Sequence, residues 1–206
     1  MNKTRSLLER WEITEEELTE LVDQNPSLRG ILLGYVAEKK FHDAFLHAPH
    51  VTEASKGDDH DRKRKGDRRI LYKDRSFLIE VKSLQSNSVE YLGAGQWCGK
   101  AQVDASDSRI VTFPNGSKLK TTCLRRGEFD LLAVNCFAFG EQWRFAFALN
   151  TDLPQNTYKK YTKYQRRHLL PTLVTLHWPL QPPFTDNPFV LLDQLINVRK
   201  SSRAHG

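Results

Sequence analysis

The sequence is poor in cysteine and has no long apolar run. Its three cysteines, Cys98, Cys123 and Cys136, form no CxxC pair and are odd in number. This argues against a disulfide framework or a cysteine-based zinc site and indicates reduced thiols. The N-terminus lacks the apolar segment of a signal peptide, and no run approaches the roughly 20 apolar residues of a membrane span. We therefore expect a cytoplasmic protein with no membrane partner.

Positive charge is in excess. The 206 residues include 31 Lys and Arg against 25 Asp and Glu, a net charge of +6 at pH 7. This balance favours a polyanionic partner such as nucleic acid. The length suits one domain with extensions, and no internal repeat is present. We predict an N-terminal helical extension over residues 1–27, a main domain over 28–199 and a disordered tail over 200–206.

A predicted β-hairpin at residues 69–83 carries the charged groups of most interest. Residues 77–83 alternate as in a β-strand, with the core face taken by Phe77, Ile79 and Val81. Glu80 and Lys82 lie on the other face. A short strand over 69–73 precedes it, and the turn-prone residues 73–76 join the two.

Asp67 precedes the first strand of this hairpin and would face Glu80 near the end of the second. Two carboxylates and the ammonium group of Lys82 would then meet at one end of a sheet. Such a set suits a hard divalent cation held next to a phosphate group. The alternative is an ion pair on an exposed strand edge, without a catalytic role.

Two helices are predicted before the hairpin. Thr14 and Glu17 form a capping-box pattern for a helix over 15–24, and a second helix covers about 28–46. Glu38 falls on an otherwise apolar stripe of this second helix, made of Ile31, Gly34, Phe41 and Phe45. Two interpretations stay open: Glu38 lies at the edge of the stripe, or it points into a metal site.

After the hairpin, the sequence predicts both helices and strands. We predict a loop followed by a helix over Gln96–Ser106, which would carry Gln102. A second hairpin turns at Pro114-Asn115-Gly116. The remaining predicted elements are a buried strand within 129–139, with Asp130 as a polar residue at its start, strands over 143–149 and 173–178, and a last helix over 188–199.

Basic residues are dense near the C-terminal third of the chain. Residues 157–168 are predicted to form an amphipathic helix whose tyrosines are buried and whose cations face phosphate groups. The candidate DNA-binding residues are Arg125, Arg126, Lys159, Lys160, Lys163, Arg166 and Arg167.

The order of these motifs resembles the PD-(D/E)xK nucleases, the restriction-endonuclease-like superfamily. The resemblance covers roughly residues 28–150 and consists of a helix with Glu38, then Gly66-Asp67, then Ile79-Glu80-Val81-Lys82 on a strand. Asp67 and Glu80 are thirteen residues apart, as in the compact members. Lys65-Gly66 stands where the family often has a proline, which leaves Asp61 as an alternative first ligand.

The resemblance implies a mixed α/β fold, with a central mixed sheet flanked by helices, and a metal-dependent deoxyribonuclease. Asp67, Glu80 and Glu38 would hold Mg²⁺, with Mn²⁺ as a substitute, Lys82 would activate water, and Gln102 would assist. The expected partner is double-stranded DNA, cut in restriction style by a homodimer if both strands are cleaved. The alternatives are a junction or repair nuclease and a basic nucleic-acid-binding protein without catalysis.

Overall fold

The computed structural model describes residues 5–56 and 68–204, with side chains at all of these except 46, 52–56 and 201–204. The chain divides into two compact units, Met1–Lys39 and Lys40–Gly206. The division falls within the third helix, twelve residues beyond the expected end of the extension at residue 27. Asp61 and Asp67 lie outside the described residues.

The N-terminal unit is helical. It contains α1 (Leu7–Trp11), α2 (Glu15–Gln24) and most of α3 (Pro26–Phe41). The predicted capping box of α2 is confirmed: the Thr14 hydroxyl accepts from the Glu17 N–H at 3.1 Å, and the Glu17 carboxylate accepts from the Thr14 N–H at 2.8 Å. The predicted apolar stripe of α3 is not buried along its whole length, because Ile31 is 60% exposed.

The C-terminal unit is rich in strands. It starts with the end of α3 and a π-helical turn at His42–Leu46. The strands are β1 (Val51–Lys56), β2 (Arg68–Tyr72), β3 (Arg75–Ser83), β4 (Glu90–Gly93), β5 (Gln96–Gln102), β6 (Asp104–Thr112), β7 (Lys118–Cys123), β8 (Leu131–Asn135), β9 (Phe145–Leu149) and β10 (Leu173–Trp178). Two helices complete the unit, α4 (Lys163–His168) and α5 (Pro188–Ala204).

The main sheet joins the described strands in the order β1-β2-β3-β8-β9. β3 pairs with β8 in parallel, and the other neighbours in this sheet are antiparallel. The predicted mixed α/β class with a mixed central sheet is therefore confirmed. The restriction-endonuclease-like arrangement of that sheet stays a prediction.

Two smaller sheets lie in the same unit: β10-β5-β4, and the β6-β7 hairpin. The helix predicted over Gln96–Ser106 is wrong, because these residues form β5 and the start of β6. Gly99 and Ala101 are buried while Lys100 and Gln102 are exposed, which is the two-residue period of a strand. Pairing with β10 on one side and β4 on the other overrides the helical tendency of this segment.

Each face of the main sheet has its own core. On one face, Leu132 and Val134 of β8 join a buried cluster with residues of β5 and β10 such as Ala101 and Leu176. On the other face, the alternate residues of β3 and β8 pack with Phe41 and Leu192 of α3 and α5. Every residue of β8 is buried, so the predicted buried central strand is confirmed.

The last helix is longer than expected. α5 extends to Ala204, across most of the region 200–206 that was expected to be a disordered tail. None of the helices in the described chain combines the length and the apolarity needed to cross a lipid bilayer.

Candidate functional site

The predicted hairpin of β2 and β3 is confirmed, and it fixes the position of Glu80. The strands are joined by Lys73 and Asp74, with φ angles of 48° and 58°. Two positive φ angles in a two-residue loop give the turn whose twist matches a hairpin. In this hairpin Tyr72 pairs with Arg75 next to the turn, and Arg68 pairs with Ile79 at the other end. Glu80 is therefore the residue of β3 directly after its last described pair with β2.

Glu80 lies inside the sheet and is paired with Lys82. β3 is the middle strand of the main sheet, and Glu80 is 7% exposed. Its Oε1 lies 2.8 Å from Lys82 Nζ, and the lysine side chain is 21% exposed. The alternative of an exposed ion pair is therefore wrong for the Glu80 carboxylate, whereas the absence of a catalytic role stays a hypothesis. A carboxylate buried this deeply is commonly retained for a function, because a buried ion pair adds little stability over an apolar pair.

A second ion pair joins a half-buried arginine to a buried glutamate. The guanidinium group of Arg109, on β6, donates two hydrogen bonds to the Glu128 carboxylate, which also accepts from the Arg125 N–H at 2.8 Å. The hydrogen bonds to Glu128 raise the pKa of Arg109, and the negative charge of Glu80 contributes in the same direction. Arg109 therefore places a permanent positive charge within the field of both carboxylates.

The sequence patterns that favoured Glu80 and Lys82 did not identify Arg109 or Glu128. These two residues are 19 positions apart, on β6 and on the turn that leads to β8. The register of β6 against β7 is irregular between Asp104 and Arg109. No local sequence pattern marks this pair, because Arg109 lies on β6 and Glu128 lies beyond the end of β7.

The remaining candidates for metal binding and catalysis have different positions. Glu38 is half-buried on α3, in the N-terminal unit, and both interpretations of it stay open. Gln102 lies on β5 rather than on a helix, with its side chain opposite the buried Ala101. It donates to Asp104 at 2.9 Å and accepts from Gln85 at 3.0 Å. The structure thus assigns Gln102 to an exposed amide network.

Asp130 has a structural role at the start of β8. Its carboxylate accepts the Leu78 N–H at 2.8 Å and receives Arg199 Nη2 at 2.5 Å. These bonds tie β3 and α5 to the first residue before β8. The prediction of a polar residue at a strand end is confirmed.

One group of potential metal ligands occurs elsewhere among the described side chains. His42, Asp43 and His47, in the π-helical turn and just after it, each offer a ligand atom, and these atoms lie within 4.8 Å of one another. Within the described side chains, no such group of three includes Glu80. A magnesium site at Glu80 would need a further carboxylate, and Asp67 is the candidate from the sequence.

The predicted basic segment is partly helical. Only Lys163–His168 form α4, capped by Thr162, whose hydroxyl accepts from the Gln165 N–H at 3.2 Å. Tyr161 and Tyr164 pack against a small buried cluster of the β6-β7 hairpin, whereas Tyr158 is 51% exposed. The tyrosine side therefore faces the hairpin, and the cations that remain exposed are Lys159, Lys160, Lys163 and Arg167.

Arg125 and Arg126 are engaged with the protein backbone. Arg125 Nη1 donates to the Thr112 carbonyl at 2.8 Å, and Arg126 Nη1 donates to the Thr151 carbonyl at 2.6 Å. Both arginines are half-buried, as is Arg166. These contacts connect the segment before β8 to neighbouring loops, so both arginines have a structural role. Lys118 and Lys120, which were not among the predicted DNA-binding residues, are exposed on β7.

Comparison with known proteins gives no relative. The chain matches no family model, no curated protein and no solved structure. Its function is therefore inferred from the side chains described above.

Proposed function

We propose that this protein is a metal-dependent DNA endonuclease that hydrolyses phosphodiester bonds, with its active site at Glu80 and Lys82. The observation that carries the proposal is the 2.8 Å pair of Glu80 and Lys82 on the middle strand of a mixed sheet, with the carboxylate almost fully buried. A glutamate followed two residues later by a lysine on one strand face is the arrangement that nucleases of the PD-(D/E)xK type use.

The donor chemistry at Glu80 fits a hard cation. Mg²⁺ prefers oxygen ligands and is bound through one or two carboxylates with several waters. Glu80, together with Asp67, would hold the ion, and Mn²⁺ would fit the same oxygen ligands. The ion would supply charge neutralisation at the phosphate and a more acidic bound water.

Lys82 would act on the phosphate and the attacking water. The Lys82 side chain is more exposed than the Glu80 side chain to which it is paired, at 21% against 9%. An incoming phosphate would therefore meet the lysine first. Lys82 would hold the attacking water or stabilise the negative charge that develops on the phosphate oxygens.

The exposed cations provide the binding surface. Lys159, Lys160 and Lys163 are exposed on the segment whose Tyr161 and Tyr164 pack against the β6-β7 hairpin, so their charges can meet phosphate groups. We call the variant in which these three lysines are replaced by alanine the triple-lysine variant. Arg125 and Arg126 are left out of this surface because their side chains bind main-chain carbonyls.

The test is a cleavage assay with purified protein on supercoiled plasmid, linear duplex and a four-way junction, each with Mg²⁺, with Mn²⁺ and with EDTA. We expect metal-dependent cleavage that Glu80→Gln reduces by about 10²-fold or more, without weaker DNA binding. Lys82→Met should have a similar effect. Lys73→Met removes an exposed lysine that pairs with Asp193, far along the chain, and serves as the matched control with normal cleavage.

Comparing cleavage of the different DNA substrates distinguishes a restriction-type nuclease from a junction or repair nuclease. Cleavage of linear duplex supports a restriction-type enzyme, and preference for the junction supports a repair enzyme. Two cuts at one site, with a dimer in light scattering, would support the homodimer.

A second candidate function is a basic DNA-binding protein without catalysis. It is favoured by the ion pair itself, since Lys82 already neutralises Glu80. This hypothesis predicts binding and no cleavage by the wild type with either metal. Normal cleavage by Glu80→Gln would refute the assignment of the active site.

A further inference from the structure

The π-helical turn after α3 brings two histidines together. His42 and His47 are five residues apart, and in an α-helix this spacing would place them about 140° apart around the axis. Here their rings pack edge to face, with centroids 4.9 Å apart. The wider turn at His42–Leu46 therefore brings both imidazoles to one side.

The other side of the same turn is anchored in the core. Phe41 is 1% exposed, and its ring centroid lies 5.7 Å from that of Phe145 on β9. Phe45 lies 4.9 Å from Phe147, also on β9. The aromatic contacts fix the backbone of the turn, so the histidines are held in place by residues that do not themselves contact a ligand.

Asp43 completes a set of three potential metal ligands. The ligand atoms of His42, Asp43 and His47 all lie within 4.8 Å of one another. His42 Nδ1 and Asp43 Oδ1 are 3.5 Å apart, which is long for a strong ion pair. Metal bonds of about 2.0–2.1 Å in a tetrahedral site place neighbouring ligands about 3.3 Å apart. The His42–Asp43 separation is thus close to that of two ligands on one ion.

We propose that His42, Asp43 and His47 bind a divalent transition-metal ion of the zinc type, at a site separate from Glu80. Imidazole nitrogen suits Zn²⁺, Co²⁺, Ni²⁺ and Cu²⁺, whereas Mg²⁺ prefers oxygen ligands. Two histidines and one carboxylate leave a fourth position for water. The side chains of His42 and Asp43 are 41% and 46% exposed, so an ion can reach them from solvent, and its binding would draw the most widely spaced ligand atoms together.

The test is titration of the full-length, metal-free protein with Zn²⁺ in a calorimeter and with Co²⁺ in a visible spectrometer. With millimolar Mg²⁺ present to fill the proposed nuclease site, we expect one equivalent of each metal to bind, with the absorption of Co²⁺ bound to nitrogen and oxygen. His42→Ala and His47→Ala should each weaken binding by about tenfold or more, and Asp43→Asn should also weaken it. Millimolar Mg²⁺ should not displace the bound Co²⁺.

Two controls keep the result specific. His177→Ala removes a half-buried histidine on β10, outside the cluster, and should bind both metals as the wild type does. Because Mg²⁺ occupies the proposed nuclease site during the titrations, the outcome is independent of that site. His47→Gln, with thermal unfolding measured alongside, distinguishes loss of a ligand from loss of the fold. Absence of Zn²⁺ and Co²⁺ binding by the wild type would overturn the proposal, as would unchanged binding by a His42→Ala/His47→Ala variant.

Discussion

Removing one partner of the ion pair between Arg109 and Glu128 should clearly destabilise the C-terminal unit. The ion pair connects β6 to the turn before β8, and hence the β6-β7 hairpin to the main sheet. Arg109→Ala would remove the guanidinium group and leave the Glu128 carboxylate in place, with only 4% of that side chain exposed to water. A buried charge without its partner is the source of the expected loss.

The size of the effect follows from the burial of the two side chains. Removing one partner of a fully buried pair costs about 3–5 kcal/mol. The Arg109 side chain is 32% exposed, so water can enter the space that it leaves. The Arg125 N–H also continues to donate to Glu128 at 2.8 Å. We therefore expect Arg109→Ala to lower the free energy of unfolding by about 2–3 kcal/mol.

The measurement is urea unfolding of wild type, Arg109→Ala, Glu128→Gln and the double variant. The double variant should lose less than the sum of the two single variants, because the two groups interact directly. Lys73→Ala is the matched control, since Lys73 and Asp193 form an ion pair at 2.6 Å with both side chains more than 40% exposed. It should have a far smaller effect. Equal losses for Arg109→Ala and Lys73→Ala, or additive effects in the double variant, would refute the reasoning.

Three further predictions concern packing, cysteine chemistry and DNA binding. Gly99→Ala would place a Cβ 2.9 Å from Phe139 Cε1, so urea unfolding should show a free energy of unfolding lower by about 1–3 kcal/mol. An unchanged free energy of unfolding would show that the Phe139 ring moves aside without cost. Burial raises the pKa of the Cys136 thiol to about 12, so its contribution to stability is present below the ordinary thiol pKa of 9.0 and is lost as the pH rises toward 12. Cys136→Ala should flatten the alkaline decline in unfolding free energy, and an unchanged decline would contradict this. The triple-lysine variant should weaken binding to two unrelated duplexes equally and reduce the slope of log affinity against log salt by about 0.9 for each phosphate that the lysines no longer neutralise. An unchanged slope would mean that these lysines do not contact DNA.

The sequence predicted the elements whose signals are local. The capping box of α2 lies within four residues, and the hairpin of β2 and β3 follows from alternation and a short polar turn. The buried strand β8 was found from its continuous apolar run. In each case the pattern is complete within the element, so neighbours elsewhere in the chain were not needed.

Elements that depend on distant partners were harder to predict. Residues 96–106 contain alanine, glutamine and lysine, which favour helices, yet residues 97–102 pair with Leu173–Trp178, more than seventy residues later. The apolar stripe of α3 predicted that both Phe41 and Ile31 are buried, and this is correct only for Phe41. Helical periodicity does not show where along a helix the packing begins. The pair of Arg109 and Glu128 likewise requires the folded hairpin.

The Glu80–Lys82 pair offers a way to separate a catalytic role from a structural one. Replacing a buried ion pair by apolar residues of similar volume is often neutral or stabilising, by about 1–4 kcal/mol. A Glu80→Met/Lys82→Met variant should therefore unfold at an equal or higher urea concentration than the wild type, because both charges leave the interior together. The Glu80 side chain is only 9% exposed, so its carboxylate gains little from solvent.

If the pair is kept for catalysis, this double variant should be as stable as the wild type and should have lost DNA cleavage. Residues held at an active site commonly reduce stability, so a gain in stability with a loss of activity is the expected combination. A structural pair predicts the reverse. A double variant that is clearly less stable than the wild type and that still cleaves DNA would show that Glu80 and Lys82 serve the fold, and the active site would then have to lie elsewhere in the chain.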